Sequence, residues 1–100
     1  MKVLFQTISD SLKRETTVVE YNGHKFKINI CHRNGDPLGF NTNCCLDIMD
    51  NEGIWKHLED CRSLNIGWKN YYFMTDGDYR IGNQNDVARH IFFEYIKKVY

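Results

Sequence analysis

The chain has 100 residues, 42% of them hydrophobic and 14% aromatic, with four cysteines and one proline. That suits one folded domain, 1–100, with a single core, and leaves no room for a core plus a separate catalytic lobe. Thirteen basic and thirteen acidic residues cancel, six against six through Asp50 and seven against seven beyond it. The balance excludes both a basic field for nucleic acid or anionic membrane and an acidic field for DNA mimicry.

The first residues, Met1 to Ile8, lack the apolar run and small-residue cleavage site of a signal peptide, and no later stretch reaches the length of a membrane span. The expected compartment is therefore a cytoplasm, where cysteines serve as thiols or metal ligands rather than disulfides.

In chain order, Leu4, Phe5, Ile8 and Leu12 recur at helical spacing, and Lys13 and Arg14 suit the negative end of a helix dipole, which predicts an N-terminal helix over Val3 to Arg14. Met1, Val3 and Phe5 also alternate, so a short starting strand fits as well. Thr16 to Tyr21 is β-branched and runs into Asn22-Gly23, the dipeptide of a tight hairpin turn. That turn sets Tyr21 against His24, Glu20 against Lys25 and Val19 against Phe26. Phe26, Ile28 and Ile30 then face the core, and Lys25, Lys27, Asn29 and Cys31 face away.

Asn34-Gly35-Asp36-Pro37 and Gly39 mark a loop. A strand over Asn43 to Met49 follows, with Leu46 and Ile48 on the core face and Cys45 and Asp47 on the other. Pairing Ile30 with Leu46 would set Cys31 against Cys45 and His32 against Cys44. Asp50-Asn51-Glu52-Gly53 fits a type I turn closed by a glycine bulge, which places Met49 against Trp55, Asp47 against His57 and Leu46 against Leu58. For Glu59 to Ile66, a short helix and an irregular return fit equally.

Trp68 to Met74 is rich in aromatics and predicts another strand, turned by Thr75-Asp76-Gly77-Asp78 into a brief continuation at Tyr79 to Ile81. Asn83 or Asn85 is the expected cap of the last helix, with Asp86 in its first turn. Ala88, Ile91, Phe92, Tyr95, Ile96 and Val99 make its apolar stripe, and Lys97 and Lys98 suit its end. The resulting fold class is α+β: an antiparallel sheet of four to six strands packed against a C-terminal amphipathic helix.

The predicted register crowds Cys31, Cys45, Asp47 and His57 onto one face, with Cys61 just beyond. Thiolate and imidazole are what tetrahedral zinc prefers, so the expected ligands are Cys31, Cys45, His57 and Cys61, with Asp47 as a substitute or as a partner to the imidazole. The competing reading is four ordinary thiols packed in or beside the core. Cys45, His57 and Asp47 also form a nominal nucleophile, base and orienting group for a small cysteine hydrolase, although nothing marks an oxyanion site. No phosphate loop, dinucleotide fingerprint or calcium loop is present, and the chain reads as a non-enzyme. Trp55, Trp68, Tyr71, Tyr72, Phe73 and Tyr79 exceed what one core face holds, and Trp55, Trp68, Tyr71, Tyr72 and Tyr79 are expected at a partner-binding surface; the alternative is that the first helix covers the second side of the sheet.

A short chain of sheet plus helix, containing asparagine and without an enzyme motif or localisation signal, resembles the anti-CRISPR proteins of phages and mobile elements. The resemblance is one of size, composition and architecture over the whole chain. It implies a phage-type inhibitor that docks on a bacterial CRISPR effector nuclease and blocks a conformational change or nucleic-acid loading. Many members of that class are acidic DNA mimics, from which the neutral charge here departs. A protein-interaction module of immunity or antitoxin type is the alternative.

Overall fold

In the computed structural model, which describes residues 1–33, 42–78 and 80–100, the described residues form five strands followed by two helices. The strands are β1 (Lys2–Ile8), β2 (Arg14–Tyr21), β3 (His24–His32), β4 (Thr42–Met49) and β5 (Trp55–Asp60), and the helices are α1 (Trp68–Thr75) and α2 (Ile81–Val99). The sheet is an antiparallel meander in the order β1-β2-β3-β4-β5. The α+β class and the helix at the C-terminus follow the sequence reading. Among the described residues no helix is long and apolar enough to cross a membrane.

Turn chemistry fixes two of the hairpins. Asn22 and Gly23 have φ of 50° and 79°, and the β2–β3 register pairs Tyr21 with His24, Glu20 with Lys25 and Val19 with Phe26, as the Asn-Gly turn requires. At the β4–β5 turn Gly53 has φ 79°, and Asp50 exchanges backbone bonds with Gly53 and Ile54 at 3.1 and 2.9 Å. Met49 pairs with Trp55 and Asp47 with His57.

The predicted N-terminal helix is a strand instead. β1 pairs along β2 with a bulge between Val3 and Phe5, and Ser9-Asp10-Ser11 turns the chain, Ser9 Oγ accepting from the Arg14 N–H at 3.1 Å. A helix would have left the outer edge of β2 with unpaired backbone groups, and the Met1, Val3, Phe5 alternation suits the edge.

The β3–β4 register also differs from expectation: Ile28 meets Leu46, Asn29 meets Cys45 and Cys31 meets Asn43. The slip is two residues, so every side chain keeps its face. Alternation has period two and cannot distinguish such slips, and the connection over 33–41 is too long to fix the register as a tight turn does. The loop expected around Pro37 lies outside the described residues.

Trp68 to Met74 is helical rather than extended. With five strands already paired, one helical turn lets Tyr71 reach the core while Tyr72 and Phe73 point outward; tertiary packing overrides the aromatic strand propensity. Asp76, at φ 53°, ends α1 in the left-handed region. Thr75-Asp76-Gly77-Asp78 is therefore a helix terminus, and Ile81 opens α2 instead of closing a strand.

One face of the sheet is covered. Val19, Phe26, Ile28, Ile30, Cys44 and Leu46 meet Ile66, Tyr71, Val87, Ala88, Phe92 and Ile96 in one buried cluster. α2 is pinned at more than one place. At its C-terminus the Tyr100 ring packs on Phe26 at 5.0 Å and its carbonyl accepts from Asn22 Nδ2 at 2.7 Å. At its middle, buried Glu15 takes Arg89 at 2.6 Å.

Candidate functional site

The end of the sheet where β4 begins and β5 stops is the most chemically loaded part of the molecule. A cavity of about 420 Å³ opens there, lined by Thr42, Asn43, Cys44, Asp60, Cys61 and Arg62 among others. Its rim is built locally. Asp60 Oδ1 accepts from the N–H groups of Arg62 and Ser63 at 2.9 and 2.8 Å, and Ser63 Oγ accepts from the Asp60 N–H at 2.9 Å, an Asx-type turn that ends β5. These donors hold the Asp60 carboxyl below the usual carboxylate range, Ser63 contributing most.

Which thiols meet there is decided by one extra residue in β5. Leu46 pairs with Glu59, not with Leu58, because the ladder is bulged between Leu46 and Asp47. Cys45 then pairs with Asp60, and the next step sets Cys61 beside Cys44, with the Cys61 N–H donating to the Cys44 carbonyl at 2.8 Å. Without the bulge Cys61 would have faced Asn43.

The two neighbouring thiols differ in character. Cys61, half-buried on the cavity wall, is lowered to about 6 by the Cys44 thiol and by backbone N–H groups, against the penalty of burial. Cys44, buried in the core cluster, is pushed up by its bond to Cys61, by burial and by the neighbouring sulfurs. Of the two, Cys61 is the more readily ionised; as a thiol its Sγ donates to the Thr42 carbonyl at 3.8 Å.

Behind the cavity runs a buried polar relay. The Leu12 carbonyl accepts from Asn85 Nδ2 at 3.2 Å, which orients the amide; Asn85 Oδ1 lies 2.5 Å from His32 Nε2, and His32 Nδ1 lies 2.9 Å from Thr42 Oγ1. An amide oxygen only accepts, so in the neutral ring Nε2 carries the proton and Nδ1 accepts from the Thr42 hydroxyl. Hydroxyl, imidazole and amide stand in the order of a nucleophile, base and orienter, but His32 and Thr42 are only 3% and 4% exposed. The relay pins α2 to the sheet. Asn85 is thus a core contact rather than the expected cap; Arg80 precedes the helix, and the Asp78 carboxylate gathers Arg80 and Asn83 at its start, which leaves Asp86 beyond the first turn.

The expected zinc ligands are dispersed. Cys31 and Cys45 lie on the open face as diagonal neighbours, Cys31 opposite Asn43 and Cys45 opposite Asn29. Burial and the Asp47 charge raise the Cys45 thiol. His57, 59% exposed, stands 3.8 Å from Asp47, whose other neighbour is Lys27 at 3.9 Å, while Cys61 turns to Cys44 on the covered side. Among the described residues no three His, Cys, Asp or Glu side chains gather as metal ligands.

The expected partner-binding aromatics also divide. Trp55 lies on the open face with the Lys27 ammonium 4.9 Å from its ring centroid. Tyr71 is fully buried in the core, a correction that follows from the helical turn of α1, whereas Tyr72 is half exposed. Tyr79 and the Trp68 side chain lie outside the described residues. Two groups the sequence reading undervalued were Cys44, already placed on the core face by its alternation with Cys45, and Phe73, which a strand would have half hidden. No protein-family model, curated protein or solved structure matches the chain.

Proposed function

We propose that the chain is a non-enzymatic inhibitor of the anti-CRISPR type, which docks on a CRISPR effector nuclease through the outer side of α1 and obstructs its closure or nucleic-acid loading. The observation that carries the reading is the exposure of three consecutive large apolar side chains, with Phe73 at 87% flanked by Tyr72 and Met74 at about half. Singly exposed apolar residues are ordinary, but an aromatic pair with a methionine on one short helix is the composition of an interface anchor. A shallow groove continues from Phe73 and Met74 to His90, Ile91 and Glu94 of α2. The choice of target rests on the likeness in size, composition and architecture described above. With no net charge, the association draws on packing rather than long-range steering, and it should resist moderate salt.

The test is complex formation with, and inhibition of DNA cleavage by, a panel of purified CRISPR effector complexes. At least one effector should be bound and inhibited, and Phe73→Ala should weaken that binding by roughly 30-fold or more, equivalent to the about 2 kcal/mol of a central anchor, with the thermal midpoint unchanged. Failure to inhibit any effector removes the anti-CRISPR reading. Inhibition untouched by Phe73→Ala and Tyr72→Ala moves the docking surface away from α1.

A further inference from the structure

We propose that Cys61 and Cys44 form a thiol–disulfide exchange site, which reacts with a low-molecular-weight disulfide of the glutathione class and is itself left as an intramolecular disulfide. The inference stands apart from the docking surface on α1.

Geometry comes first. One ladder step beyond the Cys45–Asp60 pair, the Cys61 N–H already bonds the Cys44 carbonyl at 2.8 Å. Directly opposed residues of an antiparallel pair have Cα atoms about 4.5–5.5 Å apart, within the span a disulfide bridges. Both side chains fall on the covered face, with Cys61 packed against the cluster that holds Cys44. Access comes second. Both line the cavity, but Cys61 is half-buried and Cys44 only 2% exposed. The arrangement separates an attacking sulfur that faces solvent from a resolving sulfur that faces the core. Arg62 on the same cavity wall offers a cation to the carboxylates that a glutathione-class disulfide carries.

The exchange balances in two displacements. The Cys61 thiolate attacks one sulfur of R–S–S–R; the Cys61 Sγ–SR bond forms, the S–S bond breaks, and the departing R–S⁻ takes the proton that Cys61 had released. Cys44 then loses its proton to solvent and attacks Cys61 Sγ. The Cys44–Cys61 disulfide forms, and the second R–S⁻ leaves and is protonated. Two protein thiols are oxidised and one small disulfide is reduced to two thiols. Capping Cys61 in the first step also removes the neighbouring thiolate that helped to hold the Cys44 proton, so the second step becomes easier once the first is done. Cys31 and Cys45 are diagonal rather than opposed on the other face; Cys45 also lines the cavity and controls for access alone, and Cys31 controls for a thiol away from it.

The experiment uses the reduced full chain and oxidised glutathione, with an alkylating quench and peptide mass mapping. The expected product is lighter by two hydrogen atoms, with Cys44 joined to Cys61 and with Cys31 and Cys45 alkylated. Cys44→Ser should stop at a glutathione adduct on Cys61, and Cys61→Ser should consume the small disulfide roughly tenfold more slowly. Since Cys44 lies in the core, circular dichroism must show each variant folded, and the wild-type linkage stands as evidence without either. Modification of Cys31 or Cys45 at the same rate as Cys61 would overturn the proposal, as would a folded wild type that never forms the Cys44–Cys61 link. One zinc per chain, lost in Cys61→Ser, would overturn it in favour of a metal site.

Discussion

Acidic side chains on the two faces of the sheet meet very different fates. On the covered face Glu15 is sealed beneath α2, its Oε2 2.6 Å from the Arg89 guanidinium, with Thr17 Oγ1 donating to the same oxygen at 3.2 Å. On the open face Asp47 lies between Lys27 and His57 at 3.9 and 3.8 Å, and water reaches all three. Both carboxylates come from alternating strand positions, and both have a cation near. What separates them is whether the charge could be left to water. Glu15 could not survive its burial alone, so its partner is part of the fold; Asp47 is solvated whether or not Lys27 leans over it.

Removing each cation tests this contrast. Arg89→Met strands the Glu15 carboxylate and should cost toward the lower end of about 3–5 kcal/mol, since the arginine keeps some exposure. Adding Glu15→Gln to that variant should restore part of the loss. Lys27→Met should cost less than about 1 kcal/mol, including what its stem contributes over Trp55. Urea unfolding of the four proteins measures both. Equal losses from the two single variants would mean that burial does not separate the faces.

The relay beneath α2 carries a smaller effect of the same kind. Asn85→Ala leaves His32 Nε2–H and the Leu12 carbonyl without their partner inside the fold, and should cost about 1–3 kcal/mol. Amide exchange should rise in the β1–β2 turn, where Leu12 is held at φ 59°, before it rises at the Tyr100 end of α2. A uniform rise along α2 would show that the relay does not act locally.

How far the sequence could be read follows the same division between local and distant causes. Asn22-Gly23 and Asp50 to Gly53 specify their own hairpins, so the registers beside them came out residue by residue. The apolar stripe of α2 needed nothing but its own spacing. The pairing of Cys44 with Cys61 was hidden because it depends on one extra residue in β5, Leu58, opposite the step from Leu46 to Asp47, which no local turn rule marks. α1 was misread because its aromatics suit a strand, whereas the packing that takes Tyr71 into the core is a tertiary effect that local propensity does not carry. Asn85 and Asn83 were equal candidates for a cap, and the difference between them is a histidine more than fifty residues away.

Asp50, at the exposed end of the β4–β5 hairpin, supplies the smallest effect and sharpens the open-face side of the contrast. Its Oδ1 accepts from the N–H groups of Ile54 and Glu52, both at 2.9 Å, and these bonds, Ile54 first, hold the carboxyl below its ordinary value of 3.8, with Lys56 adding to them. A carboxylate whose folded-state value is depressed contributes stability that is fully present above the unfolded value and is lost as pH falls through the folded one. Asp50→Asn keeps an acceptor oxygen in the turn and removes the charge. The difference in thermal midpoint between wild type and this variant should therefore be constant above about pH 5 and should shrink as the pH is lowered below about 4. Addition of salt should reduce only the part owed to Lys56, because the backbone donors are fixed by the turn itself. A difference that persists unchanged at the lowest pH at which the protein stays folded would mean that the turn depends on the shape of Asp50 and not on its charge.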